Sequence, residues 1–215
     1  VVLVPTLVPE INTNDIGSII RLALANHPAV RGVHFQPISY IGRYPGSPTD
    51  NVRITIPEII LAIENQTGGL IRKETFCPPG CENAACSFHG NYVVMPQGEL
   101  KPITRHRHES CCCKSDVAAE GAARTRKFVA ANWSTPSPSD GLPVPSVLGE
   151  WDVFLERKRT HTFCVSGMAF QDAWTLDLER LRDCCIHIAS PDGRLIPFCA
   201  YNLTNRQGEF LYRHK

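Results

Sequence analysis

The sequence predicts an α/β protein whose second part is rich in cysteine. Three observations support this prediction. The first 40 residues have a strand, helix, strand pattern, which is the repeating unit of a parallel sheet. A second helix follows, and from residue 75 the composition shifts towards Cys, Pro and Gly. Two later segments share one β-hairpin pattern, with cysteines at the base of each hairpin.

The first strand covers residues 1–8, whose β-branched and apolar side chains are typical of a buried parallel strand. Because the chain begins inside this run, we expect its start to be a cut edge, with a preceding segment missing. A polar turn at residues 9–15 begins a helix, which His27-Pro28 ends. The strand at residues 32–38 completes the βαβ unit.

The second helix begins at Thr55 and has Pro57 in its first turn. It ends at Thr67-Gly68-Gly69, because glycine favours the end of a helix. The change of composition at Thr75 predicts a division of the chain into residues 1–75 and 76–215.

In the second part, residues 86–102 and 185–199 each contain a cysteine, a short strand, a Pro-x-Gly turn and a strand ending in Pro. Between them, the sequence predicts a helix at 116–133 and a Ser/Pro-rich flexible linker near 134–147. A short amphipathic helix is predicted from Leu176 to Cys184, with Asp177 near its start.

Composition argues against several classes of function. The net charge is +1 and basic residues form no stripe, which disfavours nucleic-acid binding. No apolar run approaches the roughly 20 residues that a membrane helix needs. With no secretion signal in the sequence, we expect a cytoplasmic protein, where clustered cysteines bind metal or do redox chemistry more often than they form disulfides.

Cysteine is the most informative residue type, with ten in 215 residues. Thiolates are soft ligands that suit iron–sulfur clusters, zinc and copper(I), and a [4Fe–4S] cluster takes four of them. Eight are candidate metal ligands: Cys81, Cys86, Cys111, Cys112, Cys113, Cys184, Cys185 and Cys199.

The triplet Cys111-Cys112-Cys113 leaves several functions open. Nearby positive charge at Lys114 and at residues 105–108 favours the thiolate form. The triplet is therefore suited to supply a cluster ligand, a redox thiol, or a thiolate that handles sulfur or a soft metal. The alternative is one metal ligand with two cysteines that have no role in the site. Zinc is the main rival metal, but only Cys81-x4-Cys86 approaches the spacing of a zinc knuckle, and no second knuckle accompanies it.

Two groups of motifs carry a family resemblance. The first part contains Val4-Pro5-Thr6-Leu7-Val8, Asn12, Ile16-Gly17, Gly32-Val33-His34-Phe35-Gln36-Pro37-Ile38-Ser39 and Gly42-Arg43. The end contains Gly167-Met168-Ala169-Phe170-Gln171-Asp172-Ala173-Trp174, Asp177-x2-Arg180-Leu181, Cys184-Cys185-x-His187, Pro191-Asp192-Gly193 and Pro197-Phe198-Cys199-x-Tyr201-Asn202. Together they resemble the C-terminal part of radical S-adenosyl-L-methionine (SAM) enzymes, and most closely the predicted iron–sulfur oxidoreductases that include tetraether lipid synthases. The segment from Cys81 to Gly90 and the triple cysteine are similar to the branch of radical SAM (seleno)proteins.

The resemblance implies a partial TIM-like barrel, followed by a cysteine-rich α+β region that binds auxiliary clusters. It also implies the cofactors, a [4Fe–4S] cluster and SAM. Reductive cleavage of SAM yields a 5′-deoxyadenosyl radical that abstracts hydrogen from the substrate, and a ferredoxin or flavodoxin would supply the electron. The substrate itself is not indicated.

By position, the resemblance places Thr6 and Asn12 at the mouth of the barrel after one strand, and Gln36 and Ser39 after the next. These residues are expected to contact SAM or substrate, since parallel sheets bind ligands at the carboxyl ends of their strands. The same residue types also cap helices and close turns. Arg43 is suited to pair with a carboxylate of the ligand or to remain solvated.

One departure limits the resemblance. The superfamily's Cys-x3-Cys-x2-Cys motif is absent from this chain, and Cys77-x3-Cys81-x4-Cys86 has a different second spacing. The chain is therefore expected not to cleave SAM by itself. Two other classes of function fit the same residues: a non-catalytic zinc or iron–sulfur module, and a thiol-based redox or sulfur-transfer protein using Cys111–Cys113.

Overall fold

The structure is a computed structural model that describes residues 1–42, 48–78, 83–104, 149–205 and 207–213, together with residues 123, 126, 127, 129 and 130. Those five residues are helical and fall inside the helix predicted at 116–133. The linker predicted near 134–147 lies outside the described residues. Among the described helices, none has the length and apolar character needed to cross a bilayer.

The strands are β1 (Val2–Leu3), β2 (Thr6–Leu7), β3 (Gly32–Pro37), β4 (Ser87–Val94), β5 (Leu100–Pro102), β6 (Thr162–Met168), β7 (His187–Ala189) and β8 (Leu195–Pro197). The α-helices are α1 (Ile16–Ala25), α2 (Ile56–Gln66), α3 (Glu150–Thr160), α4 (Leu178–Arg182) and α5 (Phe198–Tyr201). Short 3-10 turns lie at Thr13–Asp15, Asp50–Val52 and Lys73–Thr75.

Six strands form one open sheet in the order β1-β3-β6-β4-β5, with β2 also paired to β3. The strands β1, β2 and β6 run parallel to β3, whereas β4 is antiparallel to β6 and β5 is antiparallel to β4. The α/β class is confirmed. The sheet does not close within the described residues, so the barrel itself is not observed.

Helices α1 and α2 cover one face of this sheet. Their buried isoleucines pack on Val33 and Phe35 of β3 and on Phe163 and Val165 of β6 in one apolar cluster. Each fully buried side chain of this kind contributes about 1.5–3 kcal/mol relative to an exposed one. The cluster therefore fixes the sheet against the two helices.

The two helices approach each other closely at Gly17. The backbone N–H of Gly17 donates to Gln66 Oε1 at 2.9 Å, and Gln66 Nε2 donates to the carbonyl of Thr13 at 2.8 Å. A Cβ on residue 17 would stand 2.5 Å from the carbonyl oxygen of Gln66, so only glycine fits there without movement.

Most local predictions are confirmed. Helix α1 ends before His27-Pro28, α2 begins at a capping box made by Thr55 and Glu58, and Asp177 caps α4. Both predicted hairpins form, as β4–β5 and β7–β8.

The structure differs from the sequence prediction in two places. The first predicted strand is split into β1 and β2, with Pro5, which has no backbone N–H to donate, lying between them. Strand β6 and helix α3 were not predicted. Because β6 pairs with both β3 and β4, residues from both predicted divisions, 1–75 and 76–215, share one sheet.

Candidate functional site

A small cavity opens just beyond the carboxyl end of β6, at Met168 and Phe170. Four of the predicted metal ligands line it: Cys86, Cys184, Cys185 and Cys199. They lie up to 113 residues apart in the sequence, so only the fold brings them together. None of the described cysteines forms a disulfide.

Three separate elements deliver these thiols. Cys86 immediately precedes β4, and its carbonyl accepts from the N–H of Ala169 at 2.8 Å, which holds it against the end of β6. Cys184 and Cys185 follow α4 and enter the β7–β8 hairpin. Cys199 lies in α5, directly after that hairpin.

A hydrogen bond ties the base of the hairpin together. The N–H of Phe198 donates to the carbonyl of Ile186 at 2.9 Å, so the segments that carry Cys185 and Cys199 are held side by side. The rings of Phe170 and Phe198 pack with their centroids 4.9 Å apart and form an apolar wall of the cavity.

Hydrogen-bond donors point at two of the sulfur atoms. Arg180 of α4 places Nε 3.4 Å and Nη2 3.3 Å from Cys86 Sγ, and Nη2 also donates to the carbonyl of Ala169 at 3.1 Å. The N–H of Gln171 donates to Cys199 Sγ at 3.3 Å. Both arrangements stabilise negative charge on sulfur.

At Cys199, burial acts against this stabilisation. Burial raises the pKa of Cys199, while the N–H of Gln171 lowers it and the neighbouring Cys184 raises it further. The Cys184 thiol donates to the carbonyl of Ile186 at 3.1 Å. A thiolate cannot make that bond, so ligation through Cys184 requires its proton to leave and this contact to break.

The donors around this cavity suit a cluster better than a single metal ion. Within the part of the chain that the structure describes, no three His, Cys, Asp or Glu side chains are close enough to hold a single metal ion. A [4Fe–4S] cluster differs, because each of its four thiolates binds a different iron atom. Four cysteines around one cavity, two of them receiving N–H donors, fit a cluster in chemistry.

The cavity itself is small. Its volume is about 30 Å³, which is room for one or two water molecules. A [4Fe–4S] cluster is larger than this volume, so the cavity as it stands would not enclose one. Cys185 is exposed, whereas Cys86, Cys184 and Cys199 are half-buried.

The predicted SAM or substrate contacts lie near β2 and β3. Thr6 and Gln36 are register partners on these parallel strands, as expected for neighbouring positions at one edge. Asn12 closes the turn after β2, because its Oδ1 accepts from the N–H of Val8 and its Nδ2 donates to the carbonyl of Thr6, both at 2.8 Å. Ser39 donates to the carbonyl of Phe170 at 2.9 Å.

Ser39 thereby joins the loop after β3 to the wall of the cysteine cavity. The other predicted site residues are Arg43, Cys81, Cys111, Cys112 and Cys113, and they lie outside the described residues.

Sequence reasoning did not identify Arg53 as part of this region. Its guanidinium binds the buried carboxylate of Asp172, two residues after Phe170.

The sequence analysis also assigned no role to Arg180, although it quoted the motif Asp177-x2-Arg180. The spacing of a helix cap and an arginine three residues later gave no indication that the arginine reaches a cysteine on another element.

No model of a known protein family matches the chain. The chain is similar to 7,8-dihydro-6-hydroxymethylpterin dimethyltransferase of Methanocaldococcus jannaschii, with 34% identity over 246 aligned residues. The alignment covers 96% of this chain, so it includes both the sheet and the cysteine cavity. The chain spans 49% of that enzyme, about half of its length.

Proposed function

We propose that this chain is the C-terminal part of a radical SAM enzyme and that its cysteine cavity binds an auxiliary iron–sulfur cluster. The observation that carries the proposal is the convergence of Cys86, Cys184, Cys185 and Cys199 on one cavity. The similarity to a dimethyltransferase supports an enzyme of the radical SAM superfamily.

The proposal assigns the chemistry of SAM cleavage to a segment outside this chain. The chain spans about half of its relative and lacks the three-cysteine motif. In the proposal, β1, β2, β3 and β6 contribute parallel strands to a partial barrel, and the Cys-rich segments place the auxiliary cluster beyond the carboxyl end of β6. Ferredoxin or flavodoxin remains the expected electron donor.

The name of the relative favours methyl transfer over a general oxidoreductase reaction. The relative's name gives a reduced pterin as the compound that it methylates, so we infer that the whole protein transfers methyl groups to a related heterocycle. Thr6, Asn12, Gln36, Ser39 and Arg43 remain the proposed contacts to SAM or substrate.

Within the cavity, the residues of this chain have defined tasks. The four thiolates hold the irons, and the cluster, when bound, supplies a centre for one-electron transfer. Arg180 and the N–H of Gln171 donate to the sulfur atoms of Cys86 and Cys199. Such hydrogen bonds and positive charge favour the reduced state of a cluster and raise its potential.

The test is anaerobic iron and acid-labile sulfide analysis of the reconstituted chain, with its visible spectrum. We expect about four irons and four sulfides per chain or more, and absorbance near 400 nm that dithionite bleaches. Cys86→Ala and Cys199→Ala should each hold about four irons fewer than the unmodified chain.

Cys164→Ala is the matched control, because Cys164 lies in β6 and does not line the cavity. Its iron content should equal that of the unmodified chain. A colourless protein with about one zinc per chain would instead support a structural metal module.

A further inference from the structure

Helix α3 leaves its large apolar side chains in solvent. No residue of this 11-residue helix is buried. Trp151 is 66% exposed and Leu155 is 51% exposed. The Trp151 ring packs edge-on against Phe154 of the same helix, with the ring centroids 5.9 Å apart, so it is held in place without being covered. Helices gain most of their stability by packing an apolar face, and α3 has such a face that the described part of its own chain does not cover.

The side of α3 that faces the sheet is a different one. Arg157 Nε donates to the carbonyl of Val94 at the end of β4. Val153 lines a cavity between α3 and the turn that joins β4 to β5. At about 3.6 residues per turn, Leu155 lies on the opposite side of the helix from Val153 and Arg157, and Trp151 lies one turn before Leu155. Trp151 and Leu155 therefore form one outward stripe.

The charges of α3 are arranged in opposite blocks at its two ends. Glu150 and Asp152 lie in the first turn, whereas Arg157, Lys158 and Arg159 lie in the last turn. Two such helices placed antiparallel bring the acidic end of each to the basic end of the other, and their helix dipoles also attract. A parallel arrangement would bring like charges together. The surface of α3 is therefore complementary to an antiparallel copy of itself.

The positions of individual residues agree with a twofold axis at Leu155, the middle residue of α3. Such an axis sets Leu155 against the same residue of the second copy, Trp151 opposite Arg159, and Asp152 opposite Lys158. A guanidinium over a tryptophan ring is a favourable cation–π pair, and the other two side chains form an ion pair. Asp152 and Arg159 also have partners within their own chain, so in the dimer each would have a partner on both sides.

We propose that the chain forms a weak twofold dimer by antiparallel pairing of two α3 helices, with the outward stripe at the centre of the interface. A second copy is favoured over an unrelated partner because the charge pattern matches itself end to end. One pair of short helices buries less than the roughly 1,200 Å² of a stable interface, so the dimer exchanges with the monomer. The inference is independent of the proposed function, since α3 does not line the cysteine cavity.

The experiment is sedimentation equilibrium of the chain from micromolar to millimolar concentration, in reducing buffer so that the exposed Cys185 cannot link two copies. We expect the average mass to rise from that of a monomer towards that of a dimer. Leu155→Glu sets two carboxylates against each other and should raise the Kd about tenfold or more. The matched control is Leu22→Glu, which places the same charge on α1, where Leu22 is 59% exposed, and should dimerise like the unmodified chain.

Charge reversal tests the antiparallel geometry. Asp152→Lys and Lys158→Glu each set like charges opposite one another, so each variant alone should dimerise less than the unmodified chain. An equimolar mixture of the two variants restores opposite charges at both positions of the pair. The mixture should therefore dimerise more strongly than either variant alone.

Circular dichroism shows whether each variant is folded, and Trp151→Glu serves if Leu155→Glu is not. A chain that stays monomeric over the whole range would overturn the inference, and would mean that the outward stripe is covered by something other than a second copy. Dimers that Leu155→Glu leaves intact would also overturn it, because they would form through another surface. A mixture of the charge variants that dimerises no better than its components would exclude the antiparallel pairing.

Discussion

Arg53 and Asp172 are 119 residues apart in the sequence, yet the guanidinium reaches both carboxylate oxygens, at 3.0 and 3.1 Å. Asp172 is only 1% exposed, and its Oδ2 also accepts from the N–H of Tyr40 at 2.8 Å. The guanidinium stacks 4.9 Å above the Tyr40 ring. Because Asp172 follows Phe170 of the cavity wall, this pair ties the wall to the loop after β3.

Replacement of Arg53 should be costly. Burial alone would raise the pKa of Asp172, but hydrogen bonds from Arg53 and Tyr40 outweigh it and hold the pKa below its usual 3.8. The carboxylate is therefore charged at pH 7, and Arg53→Met leaves it buried without its cation. We expect a loss of about 3 kcal/mol in the free energy of unfolding, measured with urea at pH 7.

The matched control is Arg194→Met. Arg194 also pairs with an aspartate, Asp192 at 2.7 Å, but both side chains are well exposed. Its removal should cost much less than the removal of Arg53, because water screens an exposed ion pair. Equal losses for the two variants would show that burial of Asp172 does not matter.

The fold was largely predictable where a local signal exists. The capping box of Thr55 and Glu58 and the paired hairpin turns mark their elements directly. Strand β6 was not predicted, although Phe163, Cys164 and Val165 alternate between buried and half-buried positions. The charged helix α3 directly before it has no buried apolar face, so neither element stood out in the sequence. The place of β6 between β3 and β4 depends on pairing between residues at least 69 positions apart, which no local pattern reveals.

The site was predictable in composition but not in geometry. Counting soft ligands was enough to select Cys86, Cys184, Cys185 and Cys199, which the structure brings to one cavity. No sequence pattern indicates that Arg180 donates to Cys86, since 94 residues separate them. The alignment of His34, Ser166 and His89 on neighbouring strands was equally unpredictable, because register between strands is set by the whole sheet.

Gly90 in β4 is predicted to tolerate no side chain while Tyr92 is present. A Cβ at residue 90 would stand 2.6 Å from the Tyr92 hydroxyl and 3.0 Å from the Phe76 ring. Gly90→Ala should therefore lower the free energy of unfolding by about 1–3 kcal/mol. Tyr92→Phe removes the hydroxyl and its 2.6 Å bond to Thr75, and should cost about 1 kcal/mol.

The double variant tests whether this contact is the cause. With the hydroxyl gone, Gly90→Ala meets only the edge of Phe76, so the combined loss should be smaller than the sum of the two single losses. Additive losses in urea unfolding would place the strain elsewhere in the sheet.

The thiols of the chain without metal should differ in reactivity. Cys185 is exposed, whereas burial raises the pKa of Cys164 to about 11. At pH 8 only about one Cys164 side chain in a thousand is then a thiolate, the form that reacts. Timed alkylation with iodoacetamide, read by peptide mass spectrometry, should modify Cys185 well before Cys164.

Alkylation in urea provides the control, because unfolding exposes Cys164 as fully as Cys185 and should bring their rates together. Equal rates in the folded chain would be incompatible with the partly buried position and raised pKa of Cys164 in β6.

The final prediction concerns two histidines at the amino end of β6. The rings of His27 and His161 lie 5.4 Å apart. Burial lowers the pKa of His27 below 6.5, the carbonyl of Thr162 opposes this, and His161, Arg31 and Arg157 lower it further. Burial also lowers the pKa of His161, assisted by Arg157 and opposed by Glu156.

A histidine with a lowered pKa binds its proton more readily in the unfolded chain, so stability should fall as the pH drops below about 6.5. The urea midpoint of the unmodified chain should therefore decrease between pH 7.5 and pH 5.5. In His27→Gln/His161→Gln that decrease should be smaller, because two of the groups that take up protons on unfolding are gone. His187→Gln replaces an exposed histidine of β7 and should keep the decrease of the unmodified chain. An identical pH dependence in the double variant would mean that other groups cause it.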